Sequence, residues 1–413
     1  MLFAFLFQIL GYFSALIGFL YAFRIIYILA GAVGTRHYPA AERVHRLGIV
    51  IAACNEERVI GRILKSLKSQ DYPAEMTDVW VIADNCTDRT AAIARAHGAH
   101  VLERRDPEHR TKGYALEYFF DSLQKQKIQH EAYLILDADN VLAPDYLSRM
   151  NEAYDAGEKI VTSYRATLNM ERGLMPFAYA LHWLRTVRLE HRGRSLLGMA
   201  TRIQGTGFLM DAELVRDGWH YTSLTEDRAF CADAVARGYR IGYCDAAVFY
   251  DEQPVQAAAA LRQRIRWSRG HLEAFRELSP RLLSRLVHAR SFKDAALAYD
   301  MLSVVFPAEL AGAFVSMAKG FLALYLVVGY PPHAPQPSGI MTALLVSLLM
   351  RYLGSVLQAV YVLLSEHRRM PKLSFSKTVL AVLTFRLFDT TERISGLVAL
   401  LRPVEWVPTP HGA

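Results

Sequence analysis

The stretch Ala132-Tyr133-Leu134-Ile135-Leu136-Asp137-Ala138-Asp139-Asn140 decides how this 413-residue chain folds. Tyr133 to Leu136 is a short apolar run that enters two carboxylates one residue apart. Such a run, bounded by polar residues, predicts a buried strand of a parallel sheet, and open α/β sheets bind ligands at the carboxyl ends of their strands. Asp137 and Asp139 therefore stand where a site is expected. Mg²⁺ and Mn²⁺ take oxygen ligands and commonly bridge one or two carboxylates to substrate phosphates, so a D-x-D pair suits either ion. The tripeptide alone does not separate that role from a helix cap beside a solvated acid.

Upstream, short apolar runs alternate with helical stretches, which predicts βαβ units. Gly48 to Ala53 and Asp78 to Ala83 read as strands, and His100 to Glu103 as an edge strand. Helices are expected over Asn55 to Ser69, Arg89 to His97 and, after Thr111-Lys112-Gly113, up to about Lys127. Neither a P-loop nor G-x-G-x-x-G occurs, so an NTPase or dinucleotide enzyme is not supported. Downstream, Lys159 to Arg165 and Ile241 to Tyr250 read as strands, and Gly205 and Gly207 mark a place where backbone can approach a ligand. Thr225-Glu226-Asp227 reads as a capping-type start for the helix Arg228 to Ala236. Met175 to Ala200 reads as an amphipathic helix whose Arg185, Arg188, Arg192 and Arg194 suit a membrane surface. Pro254 to Glu277 is a second basic amphipathic stretch.

Half of the residues are apolar and the formal net charge is +7. Leu2 to Phe23, Phe306 to Gly329 and Ile340 to Leu364 each supply the roughly 20 residues that cross a hydrocarbon core. Arg24, Arg36, Arg43 and Arg46 follow the first, and Arg368, Arg369, Lys372 and Lys377 the last, which predicts that both flanks are cytoplasmic. The basic excess is thereby assigned to the membrane and not to nucleic acid. Thr378 to Leu401 places Arg386, Asp389, Glu392 and Arg393 along one helical face, and spanning and interfacial placements stay open for it. The four cysteines are scattered without zinc spacing and fit a reduced compartment. The layout is thus a transmembrane helix at 1–33, a cytoplasmic domain at 46–253, interfacial helices at 254–300, a membrane region at 301–401 and a tail at 402–413.

Five motifs run in order: A-C-N-E (Ala53 to Glu56), D-N-C-T-D (Asp84 to Asp88), D-A-D (Asp137 to Asp139), T-E-D (Thr225 to Asp227) and Q-x-x-R-W (Gln263 to Trp267). The set resembles the membrane-integrated family 2 glycosyltransferases, among them cellulose, hyaluronan and poly-N-acetylglucosamine synthases. The resemblance covers about Gly48 to Gly270 and implies a GT-A type mixed sheet flanked by transmembrane and interfacial helices. It implies that Asn55, Glu56 and Asp84 hold the uridine of a nucleotide-sugar donor, with Lys112 near the nucleotide. Asp137 would contact nucleotide or sugar, and Asp139 would ligate Mg²⁺ or Mn²⁺ on the diphosphate. Asp227 would be the general base, beside Glu226. Gln263, Arg266 and Trp267 would form the acceptor side, Arg266 through charge-assisted bonds to the diphosphate and Trp267 as a flat face for a sugar ring. The reaction implied is inverting transfer from a UDP-sugar to a growing β-linked polysaccharide at the inner membrane, with single transfer to a lipid-linked acceptor as the alternative and accessory subunits left open. A non-catalytic nucleotide-sugar sensor is the less favoured class, because a binding module needs no base. The sequence departs from the pattern at Ala52, where relatives often have Pro, at Asn85, where they have Asp, and at Thr111, where Gly is commoner.

Overall fold

The computed structural model describes residues 2–328 and 338–407. The Pro-rich connection expected at 330–339 and the end of the tail lie largely outside them. Helix α1 (Leu2–Tyr21) is followed after a short turn by α2 (Arg24–Val33). The apolar segment thus continues to Val33 and does not end at Phe23, and among the described residues three helical segments are long and apolar enough to cross a membrane: Phe5–Val33, Ala308–Tyr325 and Leu344–Arg369.

Strand β1 (Leu47–Ala53) opens the sheet. Then come α3 (Ile60–Lys68), β2 (Thr77–Asp84), α4 (Thr90–Ala96), β3 (His100–Arg104), α5 (Lys112–Gln126), β4 (Ala132–Asp137), β5 (Val141–Leu142) and α6 (Tyr146–Asp155). The second half has β6 (Ile160–Thr167), α7 (Leu174–Thr186), α8 (Arg192–Leu196), β7 (Phe208–Asp211), α9 (Glu226–Ala236) and β8 (Gly242–Asp251). Eight strands form one sheet in the order β3-β2-β1-β4-β7-β6-β8-β5. The first four are mutually parallel, as the βαβ alternation predicts. β7 runs antiparallel to both β4 and β6, so the sheet is mixed. β3 is the edge expected of it.

β1 is built from Leu, Ile, Val and small residues and is buried on both faces. Ile49 and Ile51 point to one side with Val81, Leu134 and Leu136, where α3 presents Ile60, Ile63, Leu64 and Leu67. That i, i+3, i+4, i+7 spacing makes a single apolar stripe. Val50, Ile82, Tyr133 and Ile135 point to the other side, against Phe119 and Phe120 of α5 and Phe230 of α9. Each fully buried aliphatic side chain contributes roughly 1.5–3 kcal/mol. α3 starts at Ile60 and not at Asn55, because Asn55 adopts a left-handed conformation (φ 58°) in the preceding loop.

The last third consists of α10 (Ala257–Val287), α11 (Phe292–Val305), α12 (Ala308–Val328), α13 (Ser338–Glu366) and α14 (Phe375–Leu401). A third apolar core joins these helices to the sheet part: Phe177, Tyr179, Leu181 and Leu184 of α7 pack with Val362 of α13 and with Phe385 and Phe388 of α14.

This packing corrects the membrane-surface reading of Met175 to Ala200. Arg185 forms two hydrogen bonds to Asp389 of α14, at 2.7 and 2.9 Å. Arg192 pairs with Asp245 of β8 at 2.7 Å and with Glu366 of α13 at 2.6 Å. Arg194, 1% exposed, is bidentate to Asp300 of α11 at 2.8 and 3.0 Å, and its guanidinium lies 4.7 Å from the Tyr27 ring of α2. These arginines bridge the interior, and Arg188 lies 3.7 Å from Glu366 as well. A pattern of basic residues on one helical face does not reveal acids more than 50 residues away.

Candidate active site

The parallel strands end together. Ala53 of β1 lies beside Ala83 of β2, and Asp137 of β4 lies beside Ala52, so Asp84 and Asp137 leave the two strands that flank β1 toward one cavity of about 1020 Å³. Every sequence-predicted site residue except Asn55 lines that cavity. Asn55 is exposed, and its Oδ1 accepts from the Thr87 amide at 2.8 Å, bracing the second motif to the first. Asp88 accepts from the Glu57 and Thr90 amides at 3.0 and 2.9 Å and so caps and ties the same loops. Asp84 is held by Arg104, whose Nη1 donates to its Oδ1 at 2.7 Å.

Asn140 and Thr206 fix the D-A-D turn. The Asp137 amide donates to Thr206 Oγ1 at 2.8 Å and to Asn140 Oδ1 at 3.1 Å, and Asn140 Nδ2 donates to Asp139 Oδ1 at 3.0 Å. Lys112, the first residue of α5, donates to Asp137 and to the Gly205 carbonyl at 2.9 Å. Gly205 has φ +84°, a conformation only glycine adopts freely, and this turns its carbonyl to the lysine. Burial opposes the Lys112 charge, but Asp137, Glu226 and Asp227 outweigh it and hold its pKa above the usual lysine value. Thr111 donates its hydroxyl to the Thr222 carbonyl at 2.8 Å, a contact that glycine at this position would lack.

Glu226 and Asp227 begin α9, Glu226 buried and Asp227 half-buried. Thr225 makes no capping hydrogen bond, contrary to the capping-type start expected of it. Its side chain instead presses on Gly270 of α10, where an added Cβ would stand 2.4 Å from Thr225 Oγ1 and 2.8 Å from its backbone nitrogen. That close approach brings Q-x-x-R-W beside T-E-D. Arg266 makes no hydrogen bond or ion pair among the described residues, and its charge is felt by Glu226, Asp137 and Asp227, while burial lowers its pKa. Gln263 Oε1 accepts from the Tyr179 hydroxyl at 2.9 Å. Trp267 meets Trp183 and Tyr179 edge to face, with centroids 5.7 and 6.1 Å apart.

Acids crowd this end of the sheet. Burial, and then the carboxylates of Asp139, Asp137, Asp88 and Glu252, push the Glu56 carboxyl up to about 9. Burial also pushes Glu226 up to about 8, with Lys112 opposing and Asp227 assisting. Among the described residues, no group of three or more His, Cys, Asp or Glu is arranged to hold a metal by itself. The donor set suits an ion that takes one or two carboxylates and completes its shell with substrate phosphates and water.

Sequence reasoning missed the floor of the cavity. Arg165 donates to Asp251 at 2.7 Å and to the Gln204 carbonyl at 2.7 Å, and its guanidinium lies 3.9 Å from the Trp183 ring. Gln204 is 8% exposed, and neither of its side-chain amide atoms has a hydrogen-bond partner among the described residues. Arg165 lies in a strand and Asp251 lies 86 residues on, so only the pairing of β6 with β8 brings them together.

Residues 45–270, more than half of the chain, match the family described as Glycosyltransferase like family 2. The chain is 25% identical over 262 residues to Probable glycosyltransferase YdaM of Bacillus subtilis (strain 168), covering 58% of this chain and 60% of that protein. It is 26% identical over 261 residues to Beta-monoglucosyldiacylglycerol synthase of Nostoc sp., covering 60% and 53%. To Poly-beta-1,6-N-acetyl-D-glucosamine synthase of Staphylococcus aureus (strain COL) it is 23% identical over 241 residues, covering 55% of each. The matches span roughly half to three-fifths of the length of these curated relatives. Among solved structures, Mannosyltransferase PcManGT from Pyrobaculum calidifontis, in complex with GDP-Man and Mn2+, superposes with a TM-score of 0.58 at 15% identity, covering 93% of this chain and 97% of that one. That likeness shows the GT-A type fold with its flanking helices. With five ordered motifs gathered on one cavity of such a fold, the chain belongs to the family 2 glycosyltransferases.

Proposed function

We propose that the enzyme transfers a sugar from a nucleotide-sugar donor, with inversion at the anomeric carbon, to an acceptor presented at the cytoplasmic face of a membrane. One observation carries this reading: Asp84, Asp137, Lys112, Asp227, Arg266 and Trp267 share a single cavity, and that cavity continues between α1, α12, α13 and α14. Asp84 and Glu56 face the nucleotide, and carboxyl oxygens there accept from uracil N–H and ribose hydroxyls. Lys112 and Arg266 hold the diphosphate, where negative charge grows as the glycosidic bond breaks. Asp227 takes the acceptor hydroxyl proton while that oxygen forms its bond to the anomeric carbon, and the nucleoside diphosphate leaves with the electron pair of the broken bond. Asp139, with Asp137 beside it, would hold Mg²⁺ or Mn²⁺, which when bound neutralises diphosphate charge. The solved structure named above is in complex with GDP-Man and Mn2+, and this supports the same dependence here.

The bundle-side limb of the cavity favours an acceptor carried by a lipid. Growth of a β-linked polysaccharide is the second reading, favoured by Trp267, which lines the cavity half-buried, is braced edge to face by the buried Trp183 and Tyr179, and suits stacking against a sugar ring. The test is nucleoside diphosphate release by the purified protein over a panel of UDP- and GDP-sugars, with Mn²⁺ or with EDTA, followed by product sizing and anomer assignment by NMR. Release with one donor, lost in EDTA and giving an inverted product, supports the proposal. A retained anomer or metal-independent turnover refutes it. A long product separates polymerisation from single transfer.

A further inference from the structure

Lys319, Arg351 and Arg386 line the limb of the cavity that lies between the helices, away from the sheet. Lys319 and Arg351 belong to candidate membrane spans, and Arg386 to α14, which packs against both helices. The neighbouring charges in this limb are matched. Arg393 pairs with Glu309 at 2.8 Å, Arg185 with Asp389 at 2.7 Å, and Arg264 with Glu392 at 3.6 Å. Among the described residues, Lys319, Arg351 and Arg386 have no carboxylate within ion-pair distance. Lys319 donates only to Ser14 Oγ at 3.1 Å, with the Phe7 ring 5.8 Å away. Arg351 feels the charges of Arg393 and Arg386, offset only in part by Glu309, which is itself paired with Arg393, and Lys319 feels the charge of Arg351.

Unmatched cations inside a membrane protein are costly and are kept where they serve an ion, substrate or lipid. Their matched neighbours show that this fold does supply acids where it needs only neutrality. Arginines present bidentate donors that match phosphate oxygens, and the lysine adds a point charge. Small and polar residues line the cavity beside them, among them Ser14, Ser316 and Ser355, while the outer faces of α1, α12 and α13 expose Leu16, Phe321 and Leu357, which suit acyl chains passing out between the helices.

We propose that Lys319, Arg351 and Arg386 form a binding site for the phosphate of a membrane lipid, with the lipid chains leaving between the helices. This rests on the membrane placement proposed above, but lipid retention is read without sugar transfer, so a failed turnover assay refutes the proposed function and leaves this test intact. The experiment is native mass spectrometry of the full chain in detergent, titrated separately with phosphatidic acid, phosphatidylcholine and diacylglycerol. The comparison set is wild type, Lys319→Gln/Arg351→Gln/Arg386→Gln, the charge-keeping Lys319→Arg/Arg351→Lys/Arg386→Lys, and Arg368→Gln/Lys372→Gln as an exposed basic control.

The expected result is saturable retention of phosphatidic acid over diacylglycerol. The neutral triple variant should lose this by about tenfold or more, and the charge-keeping variant and the control should largely preserve it. UDP binding by the neutral variant reports that its sheet part is folded. Equal retention by wild type and neutral triple variant, or equal loss in the exposed control, overturns the assignment. Displacement of the lipid by millimolar inorganic phosphate, with phosphate alone bound as tightly, also overturns it, because the site would then be one for a soluble anion.

Discussion

Replacing Gly270 by Ala tests whether contact between α9 and α10 sets the site. The added Cβ would stand 2.4 Å from Thr225 Oγ1, 2.7 Å from its Cγ2 and 2.8 Å from its backbone nitrogen, where ordinary contact begins at 3.4 Å. A side-chain rotation relieves the first two contacts but not the third. α10 must therefore draw back from the start of α9 by several tenths of an ångström, carrying Arg266 and Trp267 away from Asp227. Misplacement approaching 1 Å costs about 10²-fold in turnover. The stability effect is small, since overpacking costs about 1–3 kcal/mol and the helix regains about 1 kcal/mol on exchanging Gly for Ala. Nucleoside diphosphate release should fall about 100-fold while the melting temperature moves by only a few degrees. Gly61→Ala in α3, whose nearest foreign atom would lie 3.8 Å away, should stay near wild type in both. Adding Thr225→Ala should restore little of the G270A loss, because the backbone-nitrogen contact at 2.8 Å remains. A Gly270→Ala enzyme that turns over like wild type would refute the claim that this contact aligns base and diphosphate clamp.

Glu226 has a folded pKa of about 8, above the usual value of 4.5, so the folded state holds an extra proton between those pH values. Stability should therefore fall as pH rises from about 4.5 to 8, by at most ~1.4 kcal/mol per pH unit from this group. Glu226→Gln should flatten that part of the melting-temperature profile, and an unchanged slope would show that Glu226 is not held protonated. Asp300→Asn should destabilise the fold by about 3–5 kcal/mol, since it leaves Arg194 buried with its main counter-ion gone. Thermal melts in detergent measure this, and Arg194→Met/Asp300→Leu should lose less than Asp300→Asn alone.

The parallel half of the fold was legible because each strand there is a short apolar run separated from the next by a polar loop and, in most cases, a helix. β1, β2, β3 and β4 fall where periodicity places them, and their ends carry Asp84 and Asp137 to the cavity. The antiparallel β7 was not legible as such, since its pairing with β4 and β6 is a matter of register across the fold. The basic helix misled for a related reason. Arg185, Arg192 and Arg194 look solvated until Asp389, Asp245, Glu366 and Asp300 arrive from distant segments. Of the motif residues, Asn55 stands apart because its left-handed backbone turns its amide to Thr87. The undecided stretch Thr378 to Leu401 folds as α14 with its Arg386, Asp389, Glu392 and Arg393 face turned into the cavity. Hydropathy cannot show that, because the face is charged and yet sheltered.

The most direct test of the central claim is nucleoside diphosphate release by Asp227→Asn beside wild type, at saturating donor and metal. If Asp227 takes the acceptor proton, kcat should fall about 10²–10⁴-fold while donor affinity, read by equilibrium binding, stays unchanged. An Asp227→Asn enzyme that turns over as fast as wild type would contradict the account, even with the fold and the family standing.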